Sequence, residues 1–233
     1  KKDIDFGKAT LEALSSFQRM FFQPKSTRFG LLEGLGLVLI TLALAFLTTL
    51  IGSIIALILG LLAARNITNQ RLSNIIKGFV SIIRAIPTVF WVLIFAIGAG
   101  LGAVAAVIGM SFHTIGYLVK AYSESFEELE EGVIEALRAS GASWPHIIFQ
   151  AVLPSSATYL LSWTFFRFEI NFAVAVAMGA AAGAGGIGFH LFNAYAFYHD
   201  LREIGVIVYL VLAIALIMEI VATRLKSIYH IHQ

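Results

Sequence analysis

The sequence of 233 residues is 59% apolar and only 13% charged. Soluble domains average about 45–50% apolar and about 25% charged residues, so this composition excludes an ordinary soluble domain and indicates an integral membrane protein. The net charge of +2 is too small to indicate nucleic-acid binding, and the absence of cysteine excludes a disulfide framework, a thiolate metal site and a thiol nucleophile.

The first 30 residues are polar and mixed, with apolar residues recurring at near-helical spacing from Phe6 to Phe22. This pattern predicts an amphipathic helix that lies on the membrane surface. A disordered tail is the alternative. We therefore separate residues 1–30 as an N-terminal surface segment.

Five later segments are long and apolar enough for a bilayer-spanning helix, which needs about 20 residues. A glycine-rich connection (179–188) and a polar aromatic loop (190–202) separate the last two segments. We predict an all-α, polytopic transmembrane domain over residues 31–226, followed by a short tail, 227–233. The predicted spans are 31–64, 74–98 (interrupted at Pro87), 102–125, 154–178 and 203–224.

The third and fourth spans are joined by a polar loop, residues 130–154. A short helix is predicted over 133–140. Gly141 can form the left-handed turn that ends it without strain, because glycine has no Cβ. Ser143 is placed to cap a second short helix with Pro145 in its first turn. Pro154 is expected to make a sharp corner where the next helix begins. The loop is therefore predicted to be a compact docking element.

This loop resembles the cytoplasmic EAA loop of the membrane subunits of bacterial ABC importers. Two positions depart from the usual motif, Leu137 and Ala151, and both stay apolar. The resemblance implies coupling helices that insert into a groove on a separate ATPase subunit and transmit its closure to the membrane helices. The residues that it implies for ATPase coupling are Glu135, Ala136, Leu137, Gly141, Leu153 and Pro154.

Charged side chains inside predicted spans are costly and are therefore functional candidates. His113, Tyr117, Lys120 and Glu124 share one helix face by their spacing, and Lys120 and Glu124 can pair. The excess of positive groups suits a path for an anion, because arginine matches phosphate-like oxygens. Structural ion pairs between helices are the alternative. The candidate path residues are Arg84, His113, Tyr117, Lys120, Arg167 and Glu169.

Four motifs, in order over about residues 31–224, resemble the permease subunit of phosphonate importers, with features shared by methionine importers. They are Arg84-Ala-Ile-Pro-Thr88, His113-Thr-Ile-Gly116, Arg167-Phe-Glu-Ile-Asn171 and Gly183-Ala-Gly-Gly-Ile-Gly188.

The resemblance implies the ABC type I importer permease fold in a bacterial inner membrane. It implies a homodimer, two cytoplasmic subunits that bind ATP and Mg²⁺, and an extracytoplasmic binding protein that delivers phosphonate or phosphite. The chain itself is expected to be non-catalytic, without a cofactor.

If the 130–154 loop is cytoplasmic, residues 1–30 are outside and the C-terminus is inside. The lysines and arginines of the N-terminal segment then lie on the side that the positive-inside rule disfavours. We expect a further transmembrane helix to precede Lys1 in the native chain.

Other chemistry has little support in the sequence. The Gly183–Gly188 run follows a transmembrane segment rather than a strand and has no Walker lysine, so a turn that lets helices approach fits better than a nucleotide loop. No nucleophile set is present. The remaining polar residues lack a metal-ligand spacing: His190, His199, Asp200, His230 and His232.

Three alternatives to the phosphonate permease stay open. An ion-coupled secondary transporter would use His113, Lys120 and Glu169 as a proton relay. An ABC permease could carry another small solute, such as methionine. A membrane enzyme is the weakest of the three.

Overall fold

The computed structural model describes residues 5–228, apart from the side chains of residues 131 and 225–228. This part of the chain is helical and contains no strand. Ten α-helices follow in chain order, with a π-helical segment, Ile148–Val152, between the seventh and the eighth. The helices are α1 (Phe6–Phe22), α2 (Leu31–Ala63), α3 (Gln70–Ala85), α4 (Thr88–Ala99), α5 (Ala103–Glu127), α6 (Glu131–Ala139), α7 (Trp144–Ile147), α8 (Leu153–Ala182), α9 (Gly186–Ala196) and α10 (Leu201–Ile228).

Four stretches of the described chain are long and apolar enough to cross a membrane as continuous helices: α2, α5, α10 and the stretch that runs from α7 through α8. Helices α3 and α4 pass the same test only as a pair, bent by 89°. The predicted all-α polytopic fold is confirmed. The predicted interruption of the second span is also confirmed, because the bend falls at Ile86 and Pro87, between the two helices.

Helices α2, α5 and α8 pack against one another and form the centre of the fold. Small residues on α2 allow the close approach of α5: Gly52 lies against Thr114, and Gly60 against Tyr122. Small residues are common where membrane helices pack closely, because they let two backbones meet. The buried core has two clusters. One includes Phe126 and Val152, close to the 130–154 loop, and the other surrounds α9 and the first part of α10.

The prediction of a sharp corner at Pro154 is wrong. Helix α7, the π-helical segment and α8 continue as one 39-residue helical stretch, Trp144–Ala182. Pro154 has no N–H and cannot donate to the Gln150 carbonyl, as an α-helix would require. The wider π turn changes the bonding there, and the Leu153 N–H donates to the Ile148 carbonyl. The proline is thus accommodated without a change of direction large enough to break the span.

The polar aromatic loop expected over 190–202 is also wrong, because α9 occupies most of it and the glycine-rich connection shrinks to residues 183–185. Gly179 and Gly188 let α8 and α9 meet closely. A Cβ on Gly188 would collide with the Val176 carbonyl. The first turn of α9 receives a hydrogen-bond partner from α2, since the Ile187 N–H donates to Thr41 Oγ1 at 3.1 Å. These contacts fold a polar segment into a helix.

The N-terminal segment forms the predicted helix, α1, and Asp5 caps it by accepting from the Gly7 and Lys8 N–H groups. The last turn of α1 packs on α10, where the Tyr209 hydroxyl donates to the Phe21 carbonyl at 2.6 Å. The apolar residues of α1 stay exposed in the isolated chain. Its position on a membrane surface stays a prediction.

A cluster of charges joins the connection before α2 to the start of α10, and we call it the Arg28 clasp: Arg28, Tyr198, Asp200 and Glu203. Arg28 Nη1 donates to Asp200 Oδ2 at 3.1 Å and to the buried Glu203 Oε2 at 2.7 Å. The Arg28 guanidinium also stacks 3.8 Å from the centre of the Tyr198 ring. The clasp fixes α1 and α2 against α10.

The Arg28 clasp is expected to weaken in acid. Burial raises the pKa of Asp200, but hydrogen bonds from the Glu203 N–H, the Arg28 guanidinium and the Arg202 N–H together hold it below its ordinary value. A carboxyl whose pKa is depressed by folding stabilises the fold above its unfolded pKa, and this contribution is lost as the pH falls through the folded pKa.

We expect Asp200→Asn to lower the unfolding midpoint by about 2 °C at pH 7, since the pair is partly exposed. The difference from wild type should shrink as the pH falls below the ordinary carboxyl range at about pH 4, and it should vanish once Asp200 is protonated in the folded chain. A constant difference across this pH range would show that the charge of Asp200 does not act in the clasp.

Candidate functional site

A buried polar cluster lies where α2, α5 and α8 pack together and is centred on Arg167 of α8, which is only 3% exposed. Its Nη2 lies 2.9 Å from His113 Nδ1 of α5, and its Nε donates to Thr114 Oγ1 at 3.3 Å. Arginine is always a donor, so His113 Nδ1 accepts and the neutral ring carries its proton on Nε2. The Tyr117 ring lies 5.2 Å from the guanidinium carbon.

The cluster extends to α2 through Asn171, one helical turn after Arg167 and fully buried. Asn171 Nδ2 donates to Thr49 Oγ1 at 2.8 Å and to Thr114 Oγ1 at 3.0 Å. Three spans are therefore joined by one hydrogen-bonded set, which we call the Arg167 network: Thr49, His113, Thr114, Tyr117, Arg167 and Asn171.

The Arg167 network holds one cation, the Arg167 guanidinium, in a fixed position. Two of the five guanidinium donors of Arg167 are used by His113 and Thr114, so others remain for a ligand. Arginine presents these donors in a planar fork that matches the oxygens of phosphate-like groups. The arrangement can bind an anion and does not contain a nucleophile with its base.

The candidate path residues divide into two groups in the structure. Arg167, His113 and Tyr117 come together in the network, whereas Arg84 and Lys120 line a separate groove between α3 and α5. Lys120 pairs with Glu124 at 3.5 Å, as the spacing predicts. Glu169 lies half-buried on α8. Thr49 and Thr114 are not predicted from the sequence, where they stand out only as polar residues within apolar helices.

The 130–154 loop has the helix, turn and helix that the sequence predicts. Helix α6 ends before Gly141, which adopts φ +86°, and α7 begins after Ser143 with Pro145 in its first turn. Ser143 occupies the capping position, but its hydroxyl pairs with His146 Nδ1 at 2.7 Å instead of a backbone N–H.

Most of the residues assigned to coupling face outward. Glu135, Ala136, Gly141 and Pro154 are exposed, whereas Leu137 and Leu153 are half-buried. The loop therefore presents a surface of polar and small residues together with the exposed apolar side chains of Val133, Trp144 and Phe149.

The loop is fixed to the connection between α2 and α3. The Trp144 Nε1–H donates to the Ile67 carbonyl at 3.0 Å, and Arg138 Nη2 donates to the Asn66 carbonyl at 3.1 Å. Ile134 and Ile147 are buried beneath the loop. A force on the exposed surface would therefore reach α2, α3 and, through the unbroken helical stretch, α8.

No group of three or more His, Cys, Asp or Glu side chains in the described range 5–228 could hold a metal ion. His190, His199 and Asp200 belong to this range, and His230 and His232 lie outside the described residues.

Residues 56–231 match the family described as the binding-protein-dependent transport system inner membrane component. This match covers most of the chain. The chain belongs to that family. The predicted kinship with ABC importer permeases is confirmed.

Among curated proteins, this chain is similar to permeases for phosphorus oxyanions and for methionine. It is 32% identical over 66% of its length to a phosphate-import permease of Mycolicibacterium smegmatis, covering 29% of that protein. It is 29% identical over 77% of its length to a phosphite permease of Stutzerimonas stutzeri, covering 65%. It is 26% identical over 64% of its length to a probable D-methionine permease of Pasteurella multocida, covering 73%. The chain thus spans less than two thirds of the first two relatives.

The fold of this chain is similar to that of a chain in the inward-facing MetNI methionine ABC transporter. The TM-score is 0.73 at 23% identity, covering 82% of this chain and 93% of the other. The likeness confirms the predicted importer permease fold.

Proposed function

We propose that this chain is the transmembrane permease subunit of an ATP-driven importer for phosphonate, phosphite or a related phosphorus oxyanion. The observation that carries the proposal is the exposed 130–154 loop, fixed to the ends of three membrane helices. Such a loop suits the transfer of movement from a soluble partner to the membrane.

The partners follow from the family and from this surface. A second copy of the chain, two ATP-binding subunits that hold ATP and Mg²⁺, and an extracytoplasmic binding protein would complete the transporter. The chain then contributes residues 31–226 as its membrane domain and no catalysis. The loop and the C-terminus face the cytoplasm of a bacterial inner membrane, and the N-terminal segment faces the other side.

Coupling rests on the continuity of one helical stretch. Trp144, beside the loop surface, and Arg167 belong to the same unbroken run, Trp144–Ala182. At 1.5 Å per residue, they are about 35 Å apart along the helix. When the ATP-binding subunits close, the loop would move with them, and this stretch would carry the movement to the Arg167 network. The helices would then alternate between outward and inward access.

The substrate class rests on charge and on the relatives. Arg167 places a buried guanidinium where α2, α5 and α8 meet, with donors directed by His113 and Thr114. A buried cation of this kind attracts an oxyanion into a low-dielectric site. Two similar curated proteins are named for phosphate and phosphite transport. Methionine is the second candidate substrate, supported by the similarity to D-methionine permeases.

The proposal is tested by purifying the full chain from its host and identifying the proteins that remain bound. We expect an ATP-hydrolysing subunit to co-purify. The assembly, in liposomes with its binding protein, should accumulate methylphosphonate or phosphite only when ATP is present. Accumulation of methionine alone would select the second candidate. Uphill transport by this chain alone, without ATP, would overturn the importer.

A further inference from the structure

The α3–α5 groove is a second charged site, beside the Arg167 network. It has a volume of about 340 Å³ and runs from the end of α5, beside Lys77, to the last turn of α3 at Arg84. None of its lining residues belongs to the Arg167 network. Its charged lining residues are Arg65, Lys77, Arg84, Lys120, Glu124 and Glu127.

The charges of the groove do not balance. Four cations face two carboxylates, and Glu127 is already engaged by Lys77 at 2.7 Å and by the Arg65 N–H at 2.7 Å. Lys120 and Glu124 are more than half exposed and 3.5 Å apart, so this pair is weak. The side chains of Arg65 and Arg84 form no ion pair within the described part of the chain.

Arg84 is the cation of the groove whose lack of a carboxylate partner is most informative. Its side chain lies over Gly116, in the middle of α5, where a Cβ would come within 2.9 Å of Arg84 Cγ. Arg84 is exposed in the isolated chain, and within a membrane domain a charge beside the middle of a spanning helix normally has a partner. Lys120, which also lines the groove, adds a second cation on its other wall.

We propose that the α3–α5 groove binds a phosphate-type oxyanion, with Arg84 and Lys120 as its principal ligands. Arginine supplies a fork of donors and lysine a point charge, which together suit a tetrahedral oxyanion. The volume holds such an ion with several waters, since a water occupies about 30 Å³ of liquid. The ligand is either a soluble oxyanion or the headgroup of an anionic phospholipid.

The site is tested with the purified full chain in nanodiscs of phosphatidylcholine, by equilibrium binding of radiolabelled inorganic phosphate at constant ionic strength. We expect saturable binding that Arg84→Gln weakens at least about tenfold, because a hydrogen bond to a charged group contributes about that much. Arg84→Lys, which keeps the charge, should restore part of the binding. Arg71→Gln removes the same charge from an exposed position of the same helix, outside the groove, and should bind as wild type does.

The source of the ligand is decided in nanodiscs that contain phosphatidylglycerol. If this lipid displaces phosphate and is retained by the chain in native mass spectrometry in an Arg84-dependent manner, the ligand is a headgroup. If phosphate binding is unchanged, the ligand is a soluble oxyanion. The inference fails if neither ligand depends on Arg84, or if phosphate binding depends on Arg167 instead. The assay needs no ATP-binding subunit, so its outcome is independent of the proposed transport.

Discussion

An aspartate in place of Gly141 is expected to abolish ATP-driven uptake while the chain stays folded in the membrane. Gly141 is exposed, and no atom lies within 4 Å of the place where a Cβ would stand. Its φ of +86° strains most side chains, but aspartate visits the left-handed region more readily than most residues, at a cost on the order of 1 kcal/mol. The fold should therefore survive.

Uptake should not survive, because the new carboxylate would be trapped without a partner between the loop and the ATP-binding subunit. An unpaired charge buried in an interface costs about 2–5 kcal/mol. We expect uptake in proteoliposomes to fall at least about 100-fold, which corresponds to about 2.7 kcal/mol. Glu135→Lys, which reverses a charge on the same exposed surface, should give a similar loss.

Gly100 offers a matched control for this substitution. It is exposed, has φ +76° and has no atom within 4 Å of the position that a Cβ would take, but it lies in the turn between α4 and α5, away from the loop. Gly100→Asp should therefore transport normally. Normal uptake in Gly141→Asp, or an equal loss in both variants, would remove the 130–154 loop from coupling.

Methionine in place of Arg167 is expected to cause the second large loss of uptake. Methionine keeps an unbranched side chain but removes the guanidinium, which leaves His113 Nδ1 and Thr114 without its donors. The guanidinium donors that remain for a bound oxyanion are lost as well. Hydrogen bonds to charged groups contribute about 1.5–3 kcal/mol each, so the loss of two to the oxyanion should reduce uptake at least about 100-fold. Arg167→Lys keeps the charge and should retain more activity.

The control for Arg167→Met is Arg71→Met, an exposed arginine outside the network. Gel filtration of the complex with its ATP-binding subunits separates a transport defect from a failure to assemble. If Arg167 lies on the substrate path, its substitution should raise the substrate concentration at half-maximal rate in correctly assembled transporter. If Arg167 is purely structural, its substitution should lower only the amount of assembled transporter. Wild-type kinetics in assembled Arg167→Met would exclude Arg167 from the path.

The spans and their interruptions follow from the sequence because apolar length and proline act locally. The limits of α2 and α5 are within about two residues of their predicted ends, and Pro87 breaks the second span where expected. Gly141 and Pro145 likewise determine the turn and the second helix of the 130–154 loop. Each of these features depends on residues close in the chain.

The wrong predictions concern features that depend on contacts beyond the local sequence pattern. Pro154 suggests a corner, but the π turn before it keeps the helix continuous. Helix α9 contains residues that look like a loop, and it depends on Thr41, 146 residues earlier, for a bond in its first turn. The Arg167 network needs the relative rotation of three helices, which the sequence pattern of any one of them does not contain.

The Arg28 clasp has a consequence for how the protein is made. Arg28 meets Asp200 and Glu203 across 172 and 175 residues of chain. The contact therefore cannot close before the first turn of α10 has left the ribosome, and the connection between α1 and α2 stays without this anchor until then. Protease resistance of the α1–α2 connection during translation would accordingly mark the moment at which α10 reaches its place in the fold.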